Sequence, residues 1–360
     1  MAKSKRKKTE KSLEKKIEYI FNQLCLSVDG DVSNKNLLKF EITPSSKDEI
    51  KIYKGFKSIN VVNLSLNLTA AKYRDDQFTY VAFTLDDANH FLLPNNIEEI
   101  EVELPHFIYL AKEMCLEVSP IKSKDEIIND ILWQQNEDDY RGHSYYEIIK
   151  YFKNIVIFRF NNGDIENNFN TERLFFYILS FSSRFNQINN YRLNELYSKV
   201  FSEVEKISHD NIFMSMTSPH RKHSFLEAYR CLEWIYVLPR ILTLKDEIKY
   251  EYAGFNLANS CVKSLSWRRK EEDSITLLIK EAFKTSPSFE ADSYWMQIFK
   301  NIPEEPEKIA SRVYQIRNQY VHQFNPEREI DISDDECNEL ISFILKLLLI
   351  LYKKYQHELL

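Results

Sequence analysis

The chain has 360 residues, 44% of them hydrophobic and 14% aromatic, with a formal net charge of −6 and an isoelectric point near 5.9. That length admits two domains with a sizeable core, and the acidic balance excludes a protein coated in basic surface, so any nucleic-acid contact is a local patch. The five glycines (Gly30, Gly55, Gly142, Gly163, Gly254) stand far apart, which excludes the Gly-rich phosphate loops of the GxxxxGK[ST] and GxGxxG kinds.

Residues 1–16 are rich in Lys and Arg and carry little apolar area, so they read as a disordered basic tail, either a solvated end or an electrostatic arm for phosphates. No apolar segment of the signal-peptide kind follows this basic start. From Leu13 a short amphipathic helix is expected, with Ile17, Ile20, Phe21 and Leu24 on one face. The five cysteines (Cys25, Cys115, Cys231, Cys261, Cys337) are scattered and form no CxxC. They suit reduced thiols in a cytoplasmic protein.

Residues 17–165 read as a mixed α+β domain. Val62, Leu64, Leu66 and Leu68 alternate with polar residues, and Ile100, Val102 and Leu104 alternate with glutamates, as a sheet with one wet face requires. Phe78–Leu85 and Ile155–Phe160 are strand candidates with apolar residues on both faces. Helices are expected near Phe107–Met114 and Lys124–Gln134.

After the turn signal Asn161-Asn162-Gly163-Asp164 the texture becomes helical, and residues 166–360 read as an all-α domain. Leu174, Ile178, Phe181 and Phe185 recur at helical spacing, followed by Leu196, Val200 and Val204. A helix is expected from His223 to Leu238, kinked or ended by Pro239, and further helices over Asn256–Trp267 and Asp273–Phe283. The apolar run Leu340–Tyr352 is too short to span a bilayer and contains Lys346, so it reads as a buried helix and no membrane partner is expected.

The last two helices carry the clearest boundaries. Pro303 and Pro306 with Glu304, Glu305 and Glu307 mark a start. Asn325-Pro326 marks a stop, because a residue before proline avoids the helical region. Ser333-Asp334-Asp335-Glu336 has the form of a capping box. Within the first of these helices, at about 100° per residue, Ile309, Val313, Ile316 and Tyr320 form one stripe. Arg317 borders it, and Ser311, Gln315, Asn318 and His322 form a polar face beside it. Asn318 and His322 are an i,i+4 pair and can touch.

A cation, an amide and an imidazole in one band suit RNA cleavage in which the 2′-hydroxyl attacks its own phosphate. Histidine moves protons near neutral pH, and a guanidinium matches the oxygens of the charged transition state. The same residues also suit an ordinary wet helix face, since histidine is favoured near a helix C-terminus by the dipole alone. Rival signals are thinner. His220-x-x-His223 lacks accompanying ligands for a metal site, and with Arg221 and Lys222 it reads as a basic loop or helix start suited to touching phosphates. Glu49-x-Lys51 and Glu247-x-Lys249 match only part of a metal-dependent nuclease triad. No cofactor and no metal are expected.

Arg317-Asn318-x-x-x-His322, on the penultimate helix of a helical C-terminal region, resembles the R-[polar]-x4-6-H signature of HEPN domains. The upstream Arg312-Val313-Tyr314-Gln315-Ile316 and the apolar helix that follows fit the same layout, and the resemblance covers roughly residues 170–360. It implies a helical bundle that dimerises to bring two motifs into one site, and a metal-independent endoribonuclease leaving a 2′,3′-cyclic phosphate. It further implies a toxin or an anti-phage, abortive-infection role, with an RNA substrate and a phage-derived trigger or cognate regulator as partners. A β-containing front domain resembles the arrangement of ApeA-like defence proteins, where that domain senses or regulates. By position, Arg317 and His322 are then the catalytic pair and Asn318 the adjacent polar residue. Glu233 resembles an acidic helix residue that can pair with the motif arginine, while by itself it reads as an exposed helix glutamate. On the nuclease reading Gln315 is expected to support the motif, and Arg312, Arg221 and Lys222 to contact nucleic acid. A non-catalytic HEPN scaffold that binds nucleic acid or a partner protein is the alternative.

Overall fold

The computed structural model describes residues 2–28, 38–41, 51–65, 67–85, 91–133, 139–165, 169–182, 191–265, 270–290, 305–322 and 332–359. The side chains of 2–12, 191, 264, 265, 290 and 322 lie outside that description, as do the expected turn residues Asn325-Pro326, and Glu49 and Phe185. The chain divides into two compact units, Met1–Asn89 with Leu93–Phe175, and His90–Leu92 with Phe176–Leu360. The first is an α+β unit built on one antiparallel sheet, and the second is helical.

The first unit opens with α1 (Ala2–Ser27). Helix therefore runs through the basic stretch expected to be a disordered tail. Its lysines, glutamates and alanine are good helix formers with no glycine or proline among them. Further along, Ile20, Phe21 and Leu24 anchor α1 in the core. Lys16, counted with the tail, is buried: its ammonium donates to the Tyr109 carbonyl at 2.8 Å and lies 3.0 Å from Glu113. Burial lowers its pKa despite that carboxylate.

Strands β1 (Lys57–Ser65), β2 (Leu68–Arg74), β3 (Phe78–Thr84), β4 (Glu98–Ile100) and β5 (Ile155–Asn161) form a sheet in the order β1-β2-β3-β5-β4, every pair antiparallel. The alternating run from Val62 to Leu68 is a hairpin, not one strand, because Ser65 already pairs with Leu68. Val62 and Leu64 are half-buried between exposed neighbours, as an edge strand with one wet face requires. The central strands β3 and β5 are apolar on both faces because both faces are covered. Ala71, Tyr73, Ala82, Ile155 and Ile157 pack in one core cluster with α1 and with α2 (Leu104–Glu113). On the other face Phe83 meets Phe158 and Phe175.

The glutamate-flanked alternation beyond Ile100 gives no strand at Leu104. Pro105 sits in the first turn of α2 and favours a helix start there. Capping boxes at Ser123/Glu126 and Ser144/Glu147 open α3 (Lys124–Ile127), which continues as a π-turn through Leu132, and α4 (Tyr145–Ile149). Gly142 has φ +119°, and a Cβ there would fall 2.6 Å from the Glu41 amide nitrogen. Only glycine fits where His143 bonds Lys39 and Glu41 through its backbone.

The helix α5 (Thr171–Leu179) contains the division between the units. The second unit then comprises α6 (Tyr191–Glu203), α7 (His209–Thr217), α8 (Arg221–Ile235), α9 (Leu238–Glu247), α10 (Gly254–Leu265), α11 (Glu271–Thr285), α12 (Pro287–Glu290), α13 (Pro306–His322) and α14 (Asp334–Tyr355). Pro239 opens α9 instead of kinking its predecessor: α8 stops at Ile235 and the proline sits in the next first turn. The expected capping box at Ser333 is present in both its bonds. Leu340, Ile344, Leu347, Leu348 and Leu351 of α14 are fully buried, and each such side chain contributes roughly 1.5–3 kcal/mol of hydrophobic stabilisation. Among the described residues no helix is long and apolar enough to cross a membrane.

Candidate functional site

Helix α13 is made by its ends and its stripe. Pro306 stands in its first position with Glu307 beside it near the positive end. Ile309, Ala310, Val313 and Ile316 are buried, while Tyr320 is half-buried and packs edge-on against Phe225 of α8 at 5.8 Å. Lys280 of α11 pairs with Glu307 of α13. This packing turns the border of the stripe, where Arg317 stands, toward the first turn of α11 and the C-terminal half of α8.

Three elements converge on the Arg317 guanidinium. Its Nη2 donates to Glu233 Oε1 of α8 at 3.0 Å, and its Nη1 donates to Asn318 Oδ1 at 3.0 Å. Glu271 Oε2, from the acidic first turn of α11, lies 3.5 Å from Nη1. The cation also stands 5.9 Å from the ring centre of Tyr229. The Arg317 side chain is 18% exposed and that of Glu233 32%, so the group sits at the rim of the core.

Burial disfavours the charged guanidinium, but Glu271 and Glu233 outweigh it and hold its pKa above the ordinary value. Burial raises the Glu233 pKa, and the hydrogen bond from Arg317 opposes that rise only in part. The Tyr229 hydroxyl is pushed up by burial. The result is a fixed cation whose remaining N–H groups have no protein acceptor among the described residues.

Of the sequence-nominated residues, the structure thus joins Arg317, Asn318 and Glu233. Asn318 holds the guanidinium through its carbonyl oxygen. His322 closes α13, and its side chain lies outside the described residues. Gln315 is exposed and reaches only Ser311 Oγ at 3.5 Å, so it is not part of the cluster. Arg312 is half-buried, one turn before the motif. Arg221 and Lys222 open α8, and the Lys222 ammonium stands 5.4 Å over the Tyr320 ring, two residues before His322.

His220 and His223 are exposed neighbours with ring centres 5.6 Å apart. Among the described residues no group of three or more His, Cys, Asp or Glu could hold a metal ion. Sequence reasoning missed Glu271. Its signal was the run Glu271-Glu272-Asp273, which is visible as a helix start but not as a partner for a residue 46 positions away.

Comparison of the chain with protein-family models, with curated proteins and with solved structures finds no match.

Proposed function

We propose that this chain is a metal-independent endoribonuclease of the HEPN kind, acting in anti-phage defence or as a toxin, with its first unit in a regulatory role. The reaction is transesterification. The RNA 2′-hydroxyl attacks the adjacent phosphorus, the 5′-oxygen leaves, and a 2′,3′-cyclic phosphate remains. His322 moves the protons, and Arg317 stabilises the charge gathering on the phosphoryl oxygens. Arg317 and His322 stand about 140° apart around the helix axis, so a homodimer pairing Arg317 of one copy with His322 of another suits the chemistry better than one copy alone.

The observation that supports this reading is the held guanidinium. Glu233 and Asn318 each take one of its donors and hold the group at a partly exposed rim, and a cation held in place suits the preorganisation that oxyanion stabilisation needs. The expected outcome is RNA cleavage that survives EDTA and disappears in His322→Ala without loss of helicity. Cleavage abolished by EDTA and restored by a divalent metal would overturn it.

One observation favours the alternative, a non-catalytic HEPN scaffold that binds nucleic acid or a partner protein. The Glu233–Arg317–Glu271 ion pairs join α8, α11 and α13, and an arginine can be retained for that clasp alone. Wild type and His322→Ala with equal effects on growth and on total RNA in cells would select it.

A further inference from the structure

The proposed function leaves open where the RNA lies beside the motif. A groove of about 490 Å³ opens next to Glu233, between α8 and the turn that joins α6 to α7. Its wall from α8 is Arg230, Glu233 and Trp234, one turn of helix with Arg230 and Trp234 in an i,i+4 relation. The facing wall is Lys206 and Asn211, with buried Ile207 behind them. The volume lies within the range of sites that enclose a small ligand, roughly 300–1,000 Å³.

Trp234 is 41% exposed. A T-shaped contact with Phe255, ring centres 5.3 Å apart, fixes the indole. An indole held rigid and left partly open is the feature that accepts a flat aromatic ligand.

The charges around it suit a polyanion. Lys206 is exposed and has no ion pair among the described residues. Arg230 is 58% exposed and donates to Glu227 at 2.5 Å through Nη1 alone. The second Glu227 oxygen accepts from Asn211 at 2.9 Å. The carboxylate that lines the groove, Glu233, is paired with Arg317, so the lining offers cations to a phosphate and an aromatic face to a base.

We infer that this groove binds an unpaired nucleotide of a single-stranded RNA: Trp234 stacks on its base, and Lys206 and Arg230 take the adjacent phosphates. The inference rests on the nuclease reading for its meaning, because Glu233 belongs both to this groove and to the clasp on Arg317. A strand seated here runs alongside the guanidinium, so Trp234 positions the substrate and is not a catalytic residue.

The test uses the full chain and a short, fluorescently labelled single-stranded RNA with every 2′-oxygen methylated, which can bind but cannot be cut. Its anisotropy is followed against wild type, Trp234→Ala, Trp234→Phe and Lys206→Gln, with circular dichroism as the check on folding. Trp234→Ala weakens binding about tenfold, as loss of one stacked base does, and Trp234→Phe restores most of it. Lys206→Gln lowers the salt slope by about 0.7, the share of one phosphate contact on a single strand. The same Trp234→Ala change leaves a fully paired duplex unaffected and raises KM on cleavable RNA more than it lowers kcat.

Wild-type chain that fails to bind the strand, or Trp234→Ala that binds like wild type, overturns the groove assignment even if cleavage still depends on Arg317 and His322. Equal weakening on the duplex overturns the stacking. Loss of binding in Trp234→Ala together with cleavage indifferent to His322→Ala leaves the groove standing as a single-strand site and removes the nuclease reading.

Discussion

One network of ionisable side chains from each unit makes the comparison, and the two are built differently. In the first unit His106 of α2 meets Tyr73, whose hydroxyl lies 2.8 Å from Nδ1. Tyr73 stacks on Tyr80, ring centres 5.0 Å apart, and the Tyr80 hydroxyl donates to Asp75 at 2.7 Å. His106 is 5% exposed and Tyr73 is fully buried, so no ligand reaches them. In the second unit the Arg317 side chain keeps 18% exposure and donors that its three polar neighbours do not use. Both networks perturb pKa values, so perturbation alone does not mark a site. The difference lies in solvent access combined with unspent hydrogen-bonding capacity.

The largest expected effect separates the two networks. Arg317→Ala removes the transition-state cation and lowers RNA cleavage by roughly 10²–10³-fold, the scale of a lost oxyanion donor. Its stability cost is smaller, about 1–2 kcal/mol, because the ion pairs it breaks are partly exposed. His106→Ala does the converse, opening a cavity under Phe56 and Tyr73 and costing about 2–4 kcal/mol of stability while leaving the chemistry of the second unit in place. Thermal unfolding and cleavage measured on both variants check this. A His106 variant that unfolds normally but cannot cleave would break the comparison.

Acid should find the sealed network first. Burial pushes the His106 pKa down from 6.5 to about 4, with Asp75 opposing and Arg159 assisting the shift. Between those values the unfolded chain holds the extra proton, so the contribution of His106 is whole above about pH 6.5 and is lost as pH falls toward 4. At about 1.4 kcal/mol per unit the full loss is about 3 kcal/mol. Asp75 adds a more acidic limb. Burial raises its pKa, but hydrogen bonds from Phe78, Tyr80 and Gln77 more than offset that and hold it low, so its contribution fades only below the ordinary carboxylate range. Denaturant midpoints measured from pH 7 to 4, compared with those of His106→Phe, read the first limb. A wild-type curve flat to pH 4.5 would contradict it.

How much of this was legible in the sequence differs between the units for a physical reason. Strand periodicity placed β3 and β5 because both faces of those strands are covered and their apolar runs are continuous. The same reasoning fuses β1 and β2 into one strand, since in the sequence the apolar alternation runs on from Val62 to Leu68 with no glycine or proline to interrupt it. On α13 the helix start, the buried stripe and the border position of Arg317 follow from local rules. The partners of Arg317 do not, because Glu233 and Glu271 arrive from helices whose order in space is set by core packing. Glu233 follows only from a family likeness, and Trp234, its neighbour, carries no signal in the sequence that separates it from a core aromatic.

A tenfold effect is expected where the geometry of the cation, not its charge, is changed. Arg317→Lys keeps a positive group but cannot donate at once to Glu233, to Asn318 and outward to a phosphate. Cleavage then falls about tenfold or more in kcat with little change in KM, and steady-state kinetics on one RNA substrate decide it. Full activity in the lysine variant would mean that Arg317 acts through long-range charge alone and that its clasp is incidental.

The smallest expected effect tests the edge of the candidate site. Gln315 lies on the same polar face of the helix as Asn318. The structure separates them: Asn318 Oδ1 receives a guanidinium hydrogen bond at 3.0 Å, whereas exposed Gln315 reaches only Ser311 at 3.5 Å. Gln315→Ala therefore changes kcat/KM by less than about twofold, within the ±0.5 kcal/mol usual for surface substitutions, while Asn318→Ala, which frees the guanidinium on one side, lowers it about fivefold, the ~1 kcal/mol of a typical hydrogen bond. Both variants are assayed at one salt concentration, since RNA affinity shifts with ionic strength. Equal losses in the two would place the strand across the outer face of α13 instead of along its border with α8, and the groove beside Trp234 would then face the wrong side of the helix to hold the neighbouring nucleotide.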